Sequence, residues 1–256
     1  MSQNIRELSN GSIINTQEIV QSIIHMKSTK NIPLFIGHRG MGINHAQGEN
    51  TIGSINTCGT FMSMAEIDVQ LSKDMKVFVY HDLVLNGISI DCIHSDILIS
   101  LGIPLLSDVL LSTTVDLNIE IKYEEQSIPV DVWCKYITQC VKSNSRDRFI
   151  IYSSFNKKIC EEIKKTQDIL YLVEELTEHS VQYVISNDYT GIVTEADEVL
   201  NNTVLLSKIK QTNLLVITYG KGNSDYNKID KQIEMGVNGI ITDIIEDVYK
   251  KYIKIP

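Results

Sequence analysis

Glu66 and Asp68 lie two residues apart inside the apolar run Ala65 to Val69. On a β-strand that spacing projects both carboxylates from one face. Glu120 and Lys122 repeat the spacing in Leu117 to Lys122, again among apolar residues. Two histidines close apolar runs of their own: His38 follows Leu34 to Gly37, and His81 follows Val77 to Tyr80. Charges on the inward face of a closed sheet are costly unless they are paired or coordinated. Glu66, Asp68 and Glu120 bring three negative charges and Lys122 returns one, which leaves two for a divalent cation to balance. An all-oxygen set with room for water suits Mg²⁺ or Ca²⁺ better than zinc. The pattern reads as a metal-assisted acid–base site. Each residue alone has a plainer account: Glu66 and Asp68 as a solvated strand face, Lys122 as a partner for Glu120, each histidine as a structural hydrogen-bonder. Their coincidence at strand ends favours chemistry.

The elements that must position these residues alternate along the chain. Short apolar runs near 34–37, 64–71, 77–81, 117–122, 148–153, 169–173, 191–194, 214–219 and 239–242 read as strands. Helical patterns fall near 51–61, 104–111, 129–142, 156–166, 178–186, 203–211 and 228–235, with a terminal helical segment after 242. Thr16 to Met26 reads as a short leading helix, and the glycine-rich Arg39 to Gly48 as a loop. Strand–helix alternation without a break in composition implies a parallel sheet. About eight units in 256 residues favour a closed (β/α)8 TIM barrel, α/β in class, over an open sheet. The expected organisation is a leading segment, 1–30, followed by one barrel domain, 31–256.

The totals narrow the partners. A net charge of −9 and a pI near 5.2 argue against a nucleic-acid or anionic-membrane surface. No signal-peptide core and no membrane-spanning run is visible, so stable membrane insertion is not expected. The five cysteines (Cys58, Cys92, Cys134, Cys140 and Cys160) are odd in number and lack paired short spacings. Reduced thiols in a cytoplasmic protein are the simple reading.

With those residues in view, the chain resembles the glycerophosphodiester phosphodiesterase family. The resemblance rests on Gly37-His38-Arg39-Gly40, Glu49-Asn50-Thr51, Glu66-Ile67-Asp68-Val69-Gln70, Lys73-Asp74, Val79-Tyr80-His81-Asp82, Ile103-Pro104-Leu105-Leu106, Ile119-Glu120-Ile121-Lys122, Tyr152-Ser153-Ser154-Phe155 and the segment Gly236 to Asp243. These occur in the family's order across about 32 to 243. Gly191 to Glu195 and Thr218-Tyr219-Gly220 look most like its fungal-type eukaryotic branch.

The resemblance implies a TIM barrel that hydrolyses a glycerophosphodiester, glycerophosphocholine or a close relative, to glycerol 3-phosphate and an alcohol. It assigns His38 and His81 as general acid and base, and Glu66, Asp68 and Glu120 as ligands of Mg²⁺ or Ca²⁺. Arg39 and Lys122 fall where the family contacts phosphate, and Glu49 and Asn50 in a motif near the site. Tyr219 stands where many members carry a tryptophan, and Leu83 to Ser95 departs from the bacterial pattern. Both departures touch the pocket. His45, in the loop after Arg39, is a candidate to approach substrate; His25, His94 and His179 read as surface or capping residues, and Trp133 as barrel packing. Two other readings compete: a non-catalytic, phosphodiester-binding regulatory barrel, and a sphingomyelinase-D-like phospholipase.

Overall fold

The computed structural model describes residues 32–61, 64–124 and 127–253. The expected leading helix, Thr16 to Met26, lies outside them, as does His25. Among the described residues there are eleven strands: β1 Leu34–Gly37, β2 Met64–Leu71, β3 Val77–Val79, β4 Val84–Leu85, β5 Ile88–Ser89, β6 Leu117–Ile121, β7 Ile150–Ser154, β8 Ile169–Val173, β9 Gly191–Glu195, β10 Leu215–Tyr219 and β11 Gly239–Thr242. Eight of them form a closed parallel barrel in the order β1, β11, β10, β9, β8, β7, β6, β2. Closure comes from β1 against β2, with Ile36 opposite Met64 and Gly37 opposite Ala65.

Alternation within each strand divides the core in two. Leu34, Ile36, Met64, Ile151, Leu170, Leu172, Val193, Leu215, Ile217 and Ile241 pack together as the barrel interior. Their neighbours one residue along, such as Phe35, Ala65, Ile67, Val69, Ile119, Ile192, Val216 and Ile240, pack outward under the helices. Because Met64 points inward, Glu66 and Asp68 share its face. On β6, Leu117, Ile119 and Ile121 belong to the outer layer, so Asn118 and Glu120 point in. Inward Ser153 donates to Asn118 Oδ1 at 3.0 Å, which satisfies that polar pair inside the barrel.

Parallel neighbours fix the depth of the charges. Asp68 lies opposite Glu120 in the β2–β6 ladder, with Glu66 opposite Asn118. The carboxylates therefore stand near the carboxyl ends of adjacent strands, where barrels of this kind place their chemistry.

Several elements differ from the sequence expectation or add to it. Residues 77–81 are not a barrel strand: β3 runs antiparallel to β2, Leu71 opposite Val77 and Val69 opposite Val79. The connection from Ser72 to Lys76 is a hairpin turn, too short for the crossover that a parallel pair requires. Residues 83–103, between the expected strand at 77–81 and the expected helix from 104, hold the β4–β5 hairpin, a 3-10 turn at Ile90–Cys92 and a helix at Ser95–Ser100. The hairpin turns on Asn86 and Gly87, both with positive φ (51° and 81°), the two-residue pattern that matches strand twist. A helix at Ala196–Asn201 was also not foreseen.

The other helices follow their expected places, and their caps explain where several start. Thr51 accepts from the Ser54 amide to open the helix Ile52–Gly59, and Asn156 accepts from Lys158 and Ile159 to open Lys157–Lys164. Trp133 is fully buried against the barrel, as expected. Arg148 begins no strand; it donates to the carbonyls of Leu110, Thr113 and Ser145 and so ties three segments together.

Phe78 of β3 is fully buried with Ile90, Ile93 and Leu98 in a small separate core beneath the β3–β6 connection. This core holds the segment that follows His81. Phe78→Ala is expected to cost about 3–5 kcal/mol of unfolding free energy, the scale for emptying a buried phenylalanine site. Denaturant unfolding tests it, and a loss below about 1 kcal/mol would show that the small core does not hold the segment.

Candidate active site

Glu66, Asp68 and Glu120 bring one oxygen each to within 4.8 Å of one another, and all three are buried. The solvated-strand account of Glu66 and Asp68 is therefore wrong for this chain. The remaining bonds show how the cluster is held. Asp68 Oδ1 faces Lys122 Nζ at 3.0 Å, and its Oδ2 accepts from Asn50 Nδ2 at 2.9 Å with Arg39 Nε at 3.4 Å. Asn50 Oδ1 in turn accepts from the Asp68 amide at 3.2 Å. Glu120 Oε1 pairs with Lys122 Nζ at 2.6 Å. Glu66 Oε2 accepts from the Arg39 amide at 3.0 Å, whereas its Oε1 is buried with no hydrogen-bond partner.

Local backbone geometry makes these contacts possible. Arg39 and Asn50 both adopt positive φ (50° and 56°), and the Asn50 amide donates to Arg39 O at 2.9 Å. The loop between them is thereby pinned, turning the Arg39 amide to Glu66 and the Asn50 side chain to Asp68. Glu49 accepts from Arg39 Nη1 at 2.8 Å, so one guanidinium bridges Glu49 and Asp68. Arg39 is thus a second cation at the cluster, beyond the lysine counted from the sequence.

Electrostatics separates the three acids. Burial first, then Asp68, pushes Glu66 up to about 8. Burial would raise Asp68 too, but Lys122, Arg39 and His81 outweigh it and hold that carboxyl below its usual range. Glu120 is raised by burial and by Asp68, against the pull of Lys122. Burial would lower Lys122, yet Asp68 and Glu120 hold its ammonium charged well above the ordinary range. Without a cation the cluster therefore keeps Asp68 ionised and favours a proton on Glu66.

The donor set fits a hard divalent ion. Three buried carboxylates converge, and one inward oxygen, Glu66 Oε1, has no partner within the protein; leaving such a group buried costs roughly 1–3 kcal/mol or more.

The histidines flank this cluster. His38 follows β1, and its amide donates to Thr242 O at 3.0 Å, so the β1–β11 register extends to it. Its Nδ1 donates to Asp243 Oδ1 at 2.7 Å. Burial would lower the imidazole, but the Asp243 bond and the charges of Glu66 and Asp243 raise it on balance. His81 Nδ1 donates to Asp82 Oδ1 at 2.7 Å. Its backbone is clamped to β2: Gln70 Nε2 donates to Tyr80 O at 2.8 Å and to Asp82 O at 2.9 Å, and the Tyr80 amide donates to Asp68 O at 3.0 Å. The antiparallel hairpin thus brings His81 back over the strand that carries Glu66 and Asp68.

Tyr219 ends β10 across the mouth, where its hydroxyl donates to Val173 O at 3.3 Å and its ring meets Phe155 edge-on at 5.9 Å. Burial, then Glu195, Glu174 and Glu120, hold its phenol protonated. His45 Nδ1 accepts from the Gln47 amide, a local turn contact. His94 and His179 are exposed. Asp243, Gln70 and Asp82 had no role in the sequence reading although each lies within a quoted motif. Asp243 and Gln70 keep the inward parity of their strands, which is a signal the sequence did carry.

A pH dependence follows for the cation-free protein. Glu66 is raised from 4.5 to about 8, so in that window the folded state holds a proton that the unfolded chain has lost. Stability should then decline as pH rises from about 4.5 towards about 8. Asp68 acts in the opposite sense, but only below its ordinary 3.8. In EDTA the melting temperature is expected to fall between about pH 5 and pH 8, with a shallower fall in Glu66→Gln. Equal slopes in thermal melts of the two proteins would contradict this assignment.

Comparison with known proteins agrees with the geometry. Residues 38–92 and 85–247 match the glycerophosphoryl diester phosphodiesterase family. Glycerophosphodiester phosphodiesterase GDPD2 of Arabidopsis thaliana is 27% identical over 282 residues, covering 83% of this chain and 75% of that protein. Glycerophosphocholine phosphodiesterase gde1 of Schizosaccharomyces pombe is 25% identical over 308 residues, covering 81% of this chain and 27% of that protein. Plant and fungal relatives at such similar identity support the family and single out no branch of it. An Oleispira antarctica phosphodiesterase, solved in complex with the product sn-glycerol-3-phosphate, shares the fold with a TM-score of 0.75 at 20% identity, covering 86% of this chain and 96% of that one. The chain belongs to the glycerophosphoryl diester phosphodiesterase family of enzymes.

Proposed function

We propose that this barrel hydrolyses a glycerophosphodiester of the glycerophosphocholine type to glycerol 3-phosphate and the free alcohol. The observation that carries the reading is the buried Glu66–Asp68–Glu120 cluster, with its unpartnered Glu66 oxygen, between two carboxylate-bonded histidines. Glu66, Asp68 and Glu120 would hold Mg²⁺ or Ca²⁺. A divalent cation there supplies polarisation of the phosphoryl oxygens and a lowered pKa for a coordinated hydroxyl.

The chain's own residues do the rest. Lys122 and Arg39 offer positive charge to the phosphate beside the carboxylates, with Glu49 and Asn50 fixing Arg39 and Asp68. One of His38 and His81 takes the proton of the glycerol 2-hydroxyl as that oxygen attacks phosphorus. The other gives a proton to the departing alkoxide. The resulting cyclic phosphate is opened by water with the two roles exchanged, giving glycerol 3-phosphate. Tyr219, at the end of β10 with its ring against Phe155, would contact the substrate. The choice of glycerophosphocholine among the glycerophosphodiesters is suggested by the fission-yeast relative's name.

Residues 31–256 are the unit that carries this activity, with 1–30 as its leading segment. Among the described residues no helix is long and apolar enough to cross a membrane. All five cysteines are free, which supports a reducing, cytoplasmic setting.

Purified protein incubated with glycerophosphocholine, glycerophosphoethanolamine and glycerophosphoglycerol should release glycerol 3-phosphate. EDTA should abolish release, and Mg²⁺ or Ca²⁺ should restore it. His38→Ala and His81→Ala should each lower kcat by about 10²-fold or more with the fold intact. Full turnover after exhaustive chelation, or a double histidine variant as active as wild type, would overturn the mechanism. Binding of the diesters without release under any metal would instead identify a regulatory barrel.

A further inference from the structure

Asp243 is the first residue beyond β11, 205 positions away from the histidine it bonds. Its carboxylate does two things with one oxygen. Asp243 Oδ1 accepts from His38 Nδ1 at 2.7 Å and from the Ile43 amide at 3.1 Å. The loop that follows His38 is thus held to the same atom as the ring. That approach requires Gly42: its φ is +102°, and a Cβ there would lie 2.4 Å from Asp243 O and 2.7 Å from its Cα. Asp243 itself cannot drift. Thr242 is paired with Gly37 in the β1–β11 ladder, and Thr242 Oγ1 donates to Asn223 O at 2.6 Å. Asp243 is half-buried and held below its ordinary range; burial would raise it, but the His38 bond and charge outweigh that.

We infer that Asp243 is a positioning residue for His38: it fixes the ring through Nδ1, so that Nε2 is the nitrogen left for proton transfer, and holds the His38–Ile43 loop in the same grip. A carboxylate on one imidazole nitrogen selects the tautomer, orients the ring and steadies the imidazolium once it forms. His81 has a different arrangement. Its partner Asp82 is the next residue and its side chain is largely exposed, so this carboxylate reaches the barrel through the backbone that Gln70 ties to β2 rather than through a buried side chain. The charges facing His38 are Glu66 on β2 and Glu120 on β6, with Asp243 after β11 and Arg39 beside it.

The role in turnover rests on the two-histidine reading above, and the test separates the two. Asp243→Asn keeps the size and loses the charge; Asp243→Glu restores the charge on a longer arm. Asn is expected to lower kcat about 10-fold or more with KM within about 3-fold, and Glu to recover part of the loss. The limb of the pH–rate profile that reports His38 should move to lower pH in Asp243→Asn, since a group that favours the imidazolium is gone. In a His38→Ala background, Asp243→Asn should cost little more, because its effect acts through the missing ring. Proton NMR of the imidazole on the EDTA-treated protein gives a readout without turnover: wild type should show a slowly exchanging, downfield Hδ1 for His38, lost in Asp243→Asn. An unchanged ring signal and unchanged kcat in Asp243→Asn would overturn the inference, as would full additivity with His38→Ala. If His38→Ala alone were fully active, the two-histidine reading would fail, while the NMR signal would still decide whether Asp243 holds the ring.

Discussion

Three carboxylates share one small buried volume, and most of the site follows from how their mutual repulsion is managed. Glu66 and Asp68 face inward because Met64 does, and Glu120 faces inward because its β6 neighbours Ile119 and Ile121 pack outward. Nothing in that alternation favours placing like charges together; it is a cost the barrel carries. Two cations reduce it. Lys122 lies between Asp68 and Glu120, and Arg39 reaches Asp68 from the loop after β1. Their charge reaches Asp68 best, leaving Glu66 to adopt a proton or a metal ion.

The remainder of the mouth is arranged around that cluster. The β1–β11 ladder continues one bond past its last residues to place His38, and the β2–β3 hairpin folds His81 back over β2. The two histidines therefore arrive by unlike routes, one from a barrel strand and one from an antiparallel flap. Their carboxylate partners differ in the same way: Asp243 belongs to the far end of the chain, and Asp82 is adjacent to its ring. The small core around Phe78 is a cluster separate from the barrel interior, and the flap it packs with is tied to β2 at Val69, Gln70 and Asp68.

Much of this was legible from residue spacing. Period-two alternation put Glu66 with Asp68, and Glu120 with Lys122, on single strand faces, and the strand–helix rhythm favoured a closed barrel without by itself deciding against an open sheet. The hairpin at Asn86-Gly87 was also written in the sequence, but two-residue strands on either side are too short to show alternation. The strand at 77–81 was legible too, and the shortness of the Ser72 to Lys76 turn is what makes it an antiparallel partner of β2 and not one of the eight barrel strands. Other features had no local signal. The Asp243–His38 bond joins residues 205 apart, and no spacing rule links them. The contact of Arg39 with Asp68 depends on positive φ at Arg39 and Asn50, neither of which is glycine. Glu66's shifted titration is a property of burial and neighbours together, which no single stretch encodes.

The central claim is that Glu66, Asp68 and Glu120 form one cation site whose empty form is relieved by a proton on Glu66. Calorimetric titration of Mg²⁺ or Ca²⁺ into EDTA-stripped, dialysed protein, repeated in buffers of different ionisation enthalpy, measures stoichiometry and proton release together. The account predicts one ion per chain and release of roughly one proton near pH 7, with that release absent in Glu66→Gln. Saturable binding of one ion with no proton released by the wild-type protein, or no binding at all, would contradict it.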